Sequence, residues 1–351
     1  MPSRKAAARR PRDARSGTNV TRMRGLDERK WRFRTVREAD YQNKSRVQGQ
    51  LYPDNPVSPD EFRQRGRLLE DPRIFHLGLV AEDPLNGSVA GFGSLYNSPW
   101  NFDPAKYSIE LMVDPSHQGH GLGREFFRIL EDAALNRSAA LIWASVRAED
   151  ARSVRFFERS GFVERRRSWA SRLDLSGTSP EYGEPLPSPQ GILFTSIAQE
   201  GPDRLEVRDR LYRLQNESGK DAPSMGTPSG YTFEQFLDVT FRHPAFLPEA
   251  TMVARVGNRY VSVTSLETVK GESGTLHVGY TGTLRNFRGK GLATELKRRA
   301  IGYAKAHGYR CVTTDNDSLN APIMRINQAL GFRIVRTTIR GEKLLRESRR
   351  S

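Results

Sequence analysis

Two glycine-rich hexapeptides carry the clearest chemistry in the chain. They are Gln118-Gly119-His120-Gly121-Leu122-Gly123 and Arg288-Gly289-Lys290-Gly291-Leu292-Ala293, offset by 170 residues. Each follows an apolar strand pattern and opens a helical one. A glycine turn in that setting leaves backbone N–H groups unpaired at a helix N-terminus, where the helix dipole adds partial positive charge. Such a turn suits a phosphate, and glycine lets the backbone approach it closely. Gln118 and Arg288 stand at the loop entrances, where a donor side chain can add a hydrogen bond to the anion. The spacing does not fit the Gly-x-Gly-x-x-Gly dinucleotide fingerprint, and Gly289-Lys290-Gly291 lacks the Ser or Thr that a Walker loop needs after its lysine.

Other reactive residue types are sparse. Cys311 is the only cysteine, so neither an intramolecular disulfide nor a cysteine zinc cluster can form. Its setting, Arg310-Cys311-Val312-Thr313, reads as a strand and predicts a buried, inert thiol. His117, His120 and His277 lie near the loops or the strands that lead to them. They read as ordinary surface histidines, and no pair has metal-ligand spacing.

The loops belong to a longer repeat. Ser160-Gly161-Phe162 returns 170 residues later as Leu330-Gly331-Phe332, and Glu125/Glu295, Ala134/Ala304, Ala151/Ala321 and Arg155/Arg325 match between the landmarks. A repeat this long is a whole domain, so two copies of one fold are expected in 351 residues. In the first copy, strands are predicted at 31–36, 74–82, 88–96, 107–113 and 140–146. Helices are predicted at 39–51, 59–70, 121–135 and 150–159. In the second copy, strands are predicted at 192–198, 251–256, 260–269, 275–283, 311–314 and 332–339. Helices are predicted at 203–217, 231–240, from the second loop to Gly308, and at 320–330. The resulting fold class is α+β, two tandem domains each with a mixed central sheet flanked by helices. The expected divisions are a disordered basic tail (1–28), a first domain (29–173), a Pro/Gly-rich linker (174–190), a second domain (191–341) and a basic tail (342–351). Met23 offers a second start position within the first tail.

The net charge of +15 is concentrated at the ends: residues 1–30 carry +7 and residues 340–351 carry +3. The remaining +5 suits an anionic small ligand at least as well as a polynucleotide. The basic residues lack interleaved aromatics, so a nucleic-acid partner is not expected. No apolar run approaches the ~20 residues of a membrane span, and a cytoplasmic protein, monomer or homodimer, is expected.

The motifs resemble those of the GNAT N-acetyltransferase superfamily. Gln118-x-x-Gly121-x-Gly123 after a strand ending Leu111-Met112-Val113-Asp114-Pro115, and Arg288-x-x-Gly291-x-Ala293, resemble its acyl-CoA pyrophosphate loop. The tails Asp150-Ala151 to Gly161-Phe162 and Asn320-Ala321 to Gly331-Phe332 resemble its final helix and strand. The resemblance covers roughly residues 31–172 and 190–340, and the arrangement is similar to that of tandem members such as mycothiol synthase.

The resemblance implies acetyl transfer from acetyl-CoA to a primary amine by direct attack, with no metal and a small-molecule acceptor. It implies that the loop residues Gln118 to Arg124 and Arg288 to Thr294, among them Leu122, Leu292 and Ala293, hold the cofactor. The backbone of Leu111, Met112 and Val113, and of Thr281, Gly282 and Thr283, would take the pantetheine arm and the thioester. Asp150, Asn320 and Asn327 would add cofactor contacts. The amine must lose a proton, and Glu110, on the strand leading to the first loop, is the candidate base. A solvated or salt-bridged glutamate is the alternative. The matching position in the second copy is Tyr280, a poor base at an ordinary phenol pKa near ~10, which then lines the acceptor pocket. Phe157 and Asn327 stand where many members keep a tyrosine acid, so acid assistance is not expected from either. Division of labour, with one copy catalytic and the other structural or regulatory, is the second reading, and a non-enzymatic nucleic-acid or ribosome-associated protein that uses the basic tails is the third.

Overall fold

The computed structural model describes residues 30–99, 102–176, 182, 190–221, 232–269 and 271–345. The basic tail 1–28, most of the linker, and residues 346–351 of the second tail lie outside the described residues. Packing gathers the described residues into two units, one within 30–96 and 109–136 and one within 97–108 and 137–345.

Unit 1 holds the strands β1 (Arg32–Thr35), β2 (His76–Glu82), β3 (Val89–Tyr96) and most of β4 (Lys106–Val113), in that order across the sheet. Its helices are α1 (Tyr41–Leu51), α2 (Pro59–Leu68) and α3 (Leu122–Asn136). The period-two alternation of the strands sorts their side chains between the two sheet faces. Val80 pairs with Phe92, and with Met112 they pack against Val47 and Leu51 of α1 and Phe62 of α2. On the opposite face, Leu79 pairs with Gly93, where a Cβ would lie 2.6 Å from the ring of Phe126 on α3. Glycine at 93 therefore sets how closely α3 can approach. α2 begins at a capping box, with Ser58 accepting from the Glu61 N–H and Glu61 reaching back to Ser58.

Unit 2 holds β5 (Leu141–Arg147), α4 (Ala151–Arg159), β6 (Val163–Asp174), β7 (Leu193–Ser196), α5 (Ile197–Glu200), α6 (Leu205–Gly219) and α7 (Phe233–Val239). It continues with β8 (Phe246–Val256), β9 (Arg259–Thr268), β10 (Thr275–Thr283), α8 (Leu292–Ala306), β11 (Cys311–Asp317), α9 (Ala321–Ala329) and β12 (Arg333–Leu344). The strand order is β5-β12-β6-β11-β10-β9-β8-β7. β10 and β11 pair in parallel, as do Lys106–Ser108 and Leu141–Trp143, while β8, β9 and β10 run antiparallel. The sheet is mixed, as the sequence predicts.

The two repeats exchange their last strands. β12, the last strand of the second copy, lies between β5 and β6 of the first, and β6 pairs with β11 of the second. Arg166, nearly buried, reaches Asp317 at 3.2 Å, and Arg165 reaches Glu342 at 2.7 Å. At Gly341 a Cβ would meet the Phe157 ring at 2.4 Å, so β12 passes closely against α4.

Several boundaries differ from the sequence prediction, among them the end of β11, at Asp317 and not at Thr314. The expected strand 192–198 ends at Ser196, because Ser196 caps α5 through a capping box with Gln199. β8 starts at Phe246 and not at Thr251. β12 continues to Leu344, into the stretch read as the second tail, because its register with β5 extends to Leu344 opposite Leu141.

Candidate functional site

Both loops have the same backbone. Gly119 and Gly121 have φ of 87° and 89°, and Gly289 and Gly291 have φ of 75° and 76°. This left-handed region is open to glycine and costly for other residues. A Cβ on Gly289 or Gly291 would meet no atom within 4 Å, and one on Gly121 only Lys30 Nζ at 4.0 Å. The space in front of each loop is therefore open. Among the described residues, no backbone carbonyl takes the N–H groups of Gly119 to Gly123 or of Gly289 to Ala293. The first helical turn is closed only from Arg124 and Glu125 onto the Gly121 carbonyl and from Glu295 onto the Gly291 carbonyl. Leu122 and Leu292 are buried anchors, so only their backbones face the loops. His120 and Arg124 are exposed, Gly123, Ala293 and Thr294 are partly buried, and Lys290 lies over the Phe287 ring at 5.2 Å. These free donors and open cradles fit the diphosphate of a CoA carrier.

The entrance side chains do other work than predicted. Gln118 donates through Nε2 to the Val113 carbonyl at 3.2 Å, and Arg288 donates through Nε to the Thr283 carbonyl at 3.0 Å. The same bond thus pins each loop to the end of its strand. Arg288 also pairs with Asp221 at 2.6 Å, and Arg285 pairs with the same carboxylate. Hydrogen bonds from Arg285 and then Arg288 hold the Asp221 carboxyl well below the usual carboxylate range.

In unit 1 the predicted pantetheine residues Leu111, Met112 and Val113 end β4, with Met112 buried in the apolar core and Leu111 on the other face. Glu110 lies on the Met112 face, at the end where that face turns polar. Tyr96 donates its hydroxyl to Glu110 Oε1 at 2.6 Å. The other Glu110 oxygen has no hydrogen bond to a described residue. Beside this pair, His76 Nε2 lies 3.2 Å from Ser94 Oγ, and its ring meets Tyr96 edge to face at 6.4 Å. Burial first, then Glu110, pushes the Tyr96 phenol far above its ordinary value, so it stays a donor. Burial and then Lys44 push His76 below its ordinary value, so it is neutral at pH 7. His76 also lines a cavity of about 680 Å³ with Arg37, Tyr41, Arg63 and Arg67.

The second repeat offers a different set. β10 pairs with β11 only over Thr275–His277, then shifts register between Val278 and Tyr280, a β-bulge that re-aims the backbone before the loop. Beyond it, Thr281, Gly282 and Thr283 are held from β9. Ser262 donates to the Gly282 carbonyl and bonds the Thr283 hydroxyl, and Thr264 bonds Thr281. The Tyr280 hydroxyl bonds Ser218 at 2.8 Å. Burial raises its pKa, with the Ser218 bond opposing. Tyr280 is therefore a worse base than an ordinary phenol.

Two other predicted cofactor residues are committed elsewhere. Asp150 caps α4, accepting from the N–H groups of Arg152 and Ser153 and from the Ser153 hydroxyl at 2.6 Å. Asn327 is buried and donates to Asn316 at 2.6 Å, with its own carbonyl oxygen unpaired. Asn320 precedes α9 without capping it. Cys311 is buried against the Thr275 hydroxyl at 3.2 Å, as expected for an inert thiol. His117 is held by Trp31, Asp83, Asp114 and Ser116.

Sequence reading missed Tyr96, His76, Ser94, Ser218 and Asp221. The first three had a signal. Ser94 and Tyr96 alternate with the buried Leu95, and the pairing of β2 with β3 sets His76 opposite Tyr96.

The model of the acetyltransferase (GNAT) family matches residues 35–162 and 211–332. The chain belongs to that family. Mycothiol acetyltransferase of Thermobifida fusca is 27% identical over 297 residues, 78% of this chain and 81% of that protein. Streptothricin acetyltransferase of Streptomyces lavendulae is 29% identical over 114 residues, 32% of this chain and 56% of that protein, so the chain spans little more than half of that relative. In fold, the chain is similar to a tandem GNAT protein from the clavulanic acid biosynthesis pathway, with TM-score 0.69, 17% identity and coverage of 91% of this chain and 100% of that one. Among the described residues, no helix is long and apolar enough to cross a membrane, and no group of three His, Cys, Asp or Glu side chains could hold a metal.

Proposed function

We propose that the chain transfers an acetyl group from acetyl-CoA to a primary amine, with the first repeat catalytic and the second a cofactor-binding partner. The observation that carries this reading is the pairing of an open, donor-lined loop with a carboxylate fixed by Tyr96 in the same unit. The N–H groups of Gly119 to Gly123 would hold the diphosphate, and those of Leu111 to Val113 the pantetheine arm. Bound acetyl-CoA supplies a thioester whose thiolate leaves with little acid assistance. Glu110 takes the amine proton at the oxygen that Tyr96 leaves free. Tyr96 fixes the carboxylate's direction through a charge-assisted bond.

Division of labour is favoured by the contrast between the repeats. Tyr280 replaces the carboxylate, and Asp221 occupies the cations beside the second loop. Glu110→Gln tests the assignment. Turnover, followed as free-thiol release, is expected to fall ~10²-fold or more with acetyl-CoA binding intact. Unchanged turnover would remove Glu110 from this role and shift catalysis to the second repeat.

A further inference from the structure

This inference rests on the acetyl-transfer reading of the Glu110 cluster and narrows its acceptor. Two cations converge on one aromatic ring in unit 1. Lys44 Nζ of α1 lies 4.6 Å from the centroid of the Phe62 ring, and the Arg65 guanidinium of α2 lies 5.8 Å from it. Phe62 is buried and packed in the core with Val47 and Met112, so the platform under both cations is fixed. Cation–π attraction offsets part of the cost of drawing an ammonium out of water. Among the described residues, neither Lys44 nor Arg65 makes a hydrogen bond or an ion pair. Of the other arginines of α1 and α2, Arg46 pairs with Asp114 and Arg63 pairs with Asp60 and Glu38, while Arg67 lies over no ring among the described residues.

Both cations act on the proposed catalytic pair. Burial lowers the Lys44 pKa, Glu110 opposes that shift and Arg65 adds to it, while Arg65 also acts on Tyr96. Phe62 packs with Met112, and Glu110, held by Tyr96, stands two residues away on the same face of β4, so Lys44, Arg65, Tyr96 and Glu110 share that face. His76 is neutral, so the cluster sets two positive charges against one carboxylate. An amine that arrives protonated meets two like charges and one opposite charge. An amine that brings its own anion leaves one cation in excess, where a simple ammonium leaves two.

We propose that the acceptor is an amino acid, a primary amine with a carboxylate a few bonds away. Its carboxylate lies on Lys44 and Arg65 and its nitrogen points to Glu110. Among the described residues both cations lack a protein acceptor, half-buried Lys44 and exposed Arg65 alike, and a carboxylate would give each a charge-assisted hydrogen bond.

The test uses the full-length protein with saturating acetyl-CoA. L-Leucine, L-methionine and L-phenylalanine are each compared with their carboxamides, in which a neutral amide replaces the anion. Binding is read by calorimetry and turnover by free-thiol release. At least one free acid is expected to bind 10-fold or more tightly than its amide. Lys44→Met and Arg65→Gln are each expected to cut that preference several-fold without changing acetyl-CoA affinity, and Lys44→Arg to restore it. Equal or tighter binding of the amides, no binding of any acid, or a preference that survives both substitutions would overturn the inference. Preferential binding of acids without turnover would support this anion site while removing the acetyl-transfer reading.

Discussion

Gly291→Ala separates two reasons for glycine in the loops. The first is conformational. Gly291 has φ 76°, a region that costs an L-residue about 1–2 kcal/mol. A Cβ there would meet no protein atom within 4 Å, so no steric cost is added. Stability should therefore fall by about 1–2 kcal/mol, a drop of a few degrees in Tm. The second reason is the ligand. The new methyl stands in the cradle, in front of N–H groups that have no carbonyl partner. Hydrogen bonds to a charged group contribute about 1.5–3 kcal/mol each, so losing two of them weakens binding ~10²-fold or more. Calorimetry with acetyl-CoA on wild type, Gly121→Ala and Gly291→Ala reads both effects. Wild type should show two sites, and each variant should lose only its own. If Tm falls in Gly291→Ala while both sites bind as before, glycine is there for backbone geometry alone and the cradle argument fails.

Four further outcomes are expected. Asp221→Asn frees Arg285 and Arg288, so acetyl-CoA should bind the second loop more tightly and with steeper salt dependence; weaker binding would mean that Asp221 holds the loop open. Tyr280→Phe should leave turnover within about twofold, because burial raises the Tyr280 pKa and leaves less phenolate to accept a proton; a loss of ~10²-fold would move catalysis to the second repeat. Lys297 of α8 is fully buried with an unpaired Nζ, and burial lowers its pKa from 10.5 to about 7. Because the unfolded chain holds that proton more tightly, stability is lost as pH falls from 10.5 towards 7. Lys297→Met should raise Tm at pH 7 and gain little near pH 10.5; an equal gain at both would exclude linkage. Asp40, paired with Arg34 at 2.7 Å, has a pKa lowered first by the Arg34 hydrogen bond. Its stabilisation is present above the ordinary value of 3.8 and is lost as pH falls below it, so Asp40→Asn should flatten the acid limb of a melting curve.

Much of the fold was legible because it is encoded locally. The apolar run of β3, the apolar stripe of α3 and the loop glycines each act within a short window, and the 170-residue offset exposes the duplication. The strand exchange was not legible. β6 and β12 show the same pattern whichever neighbour they pair with, and Gly341 gains meaning only against Phe157. The capping box at Ser196 and Gln199 was present in the sequence, but the apolar run through Ile197 and Ala198 was read as strand. At the proposed site, the left-handed loop glycines were legible from their spacing, whereas the partners of Glu110, Gln118 and Asn327 lie on segments that no spacing brings together. Lys44 and Arg65 come together only because α1 and α2 fold over the same ring.

The most direct measurement is a crystal structure of the full-length protein with acetyl-CoA. The diphosphate is expected on the N–H groups of Gly119 to Gly123 and of Gly289 to Ala293. A complex in which acetyl-CoA binds elsewhere, leaving both loops without an anion, would contradict the account.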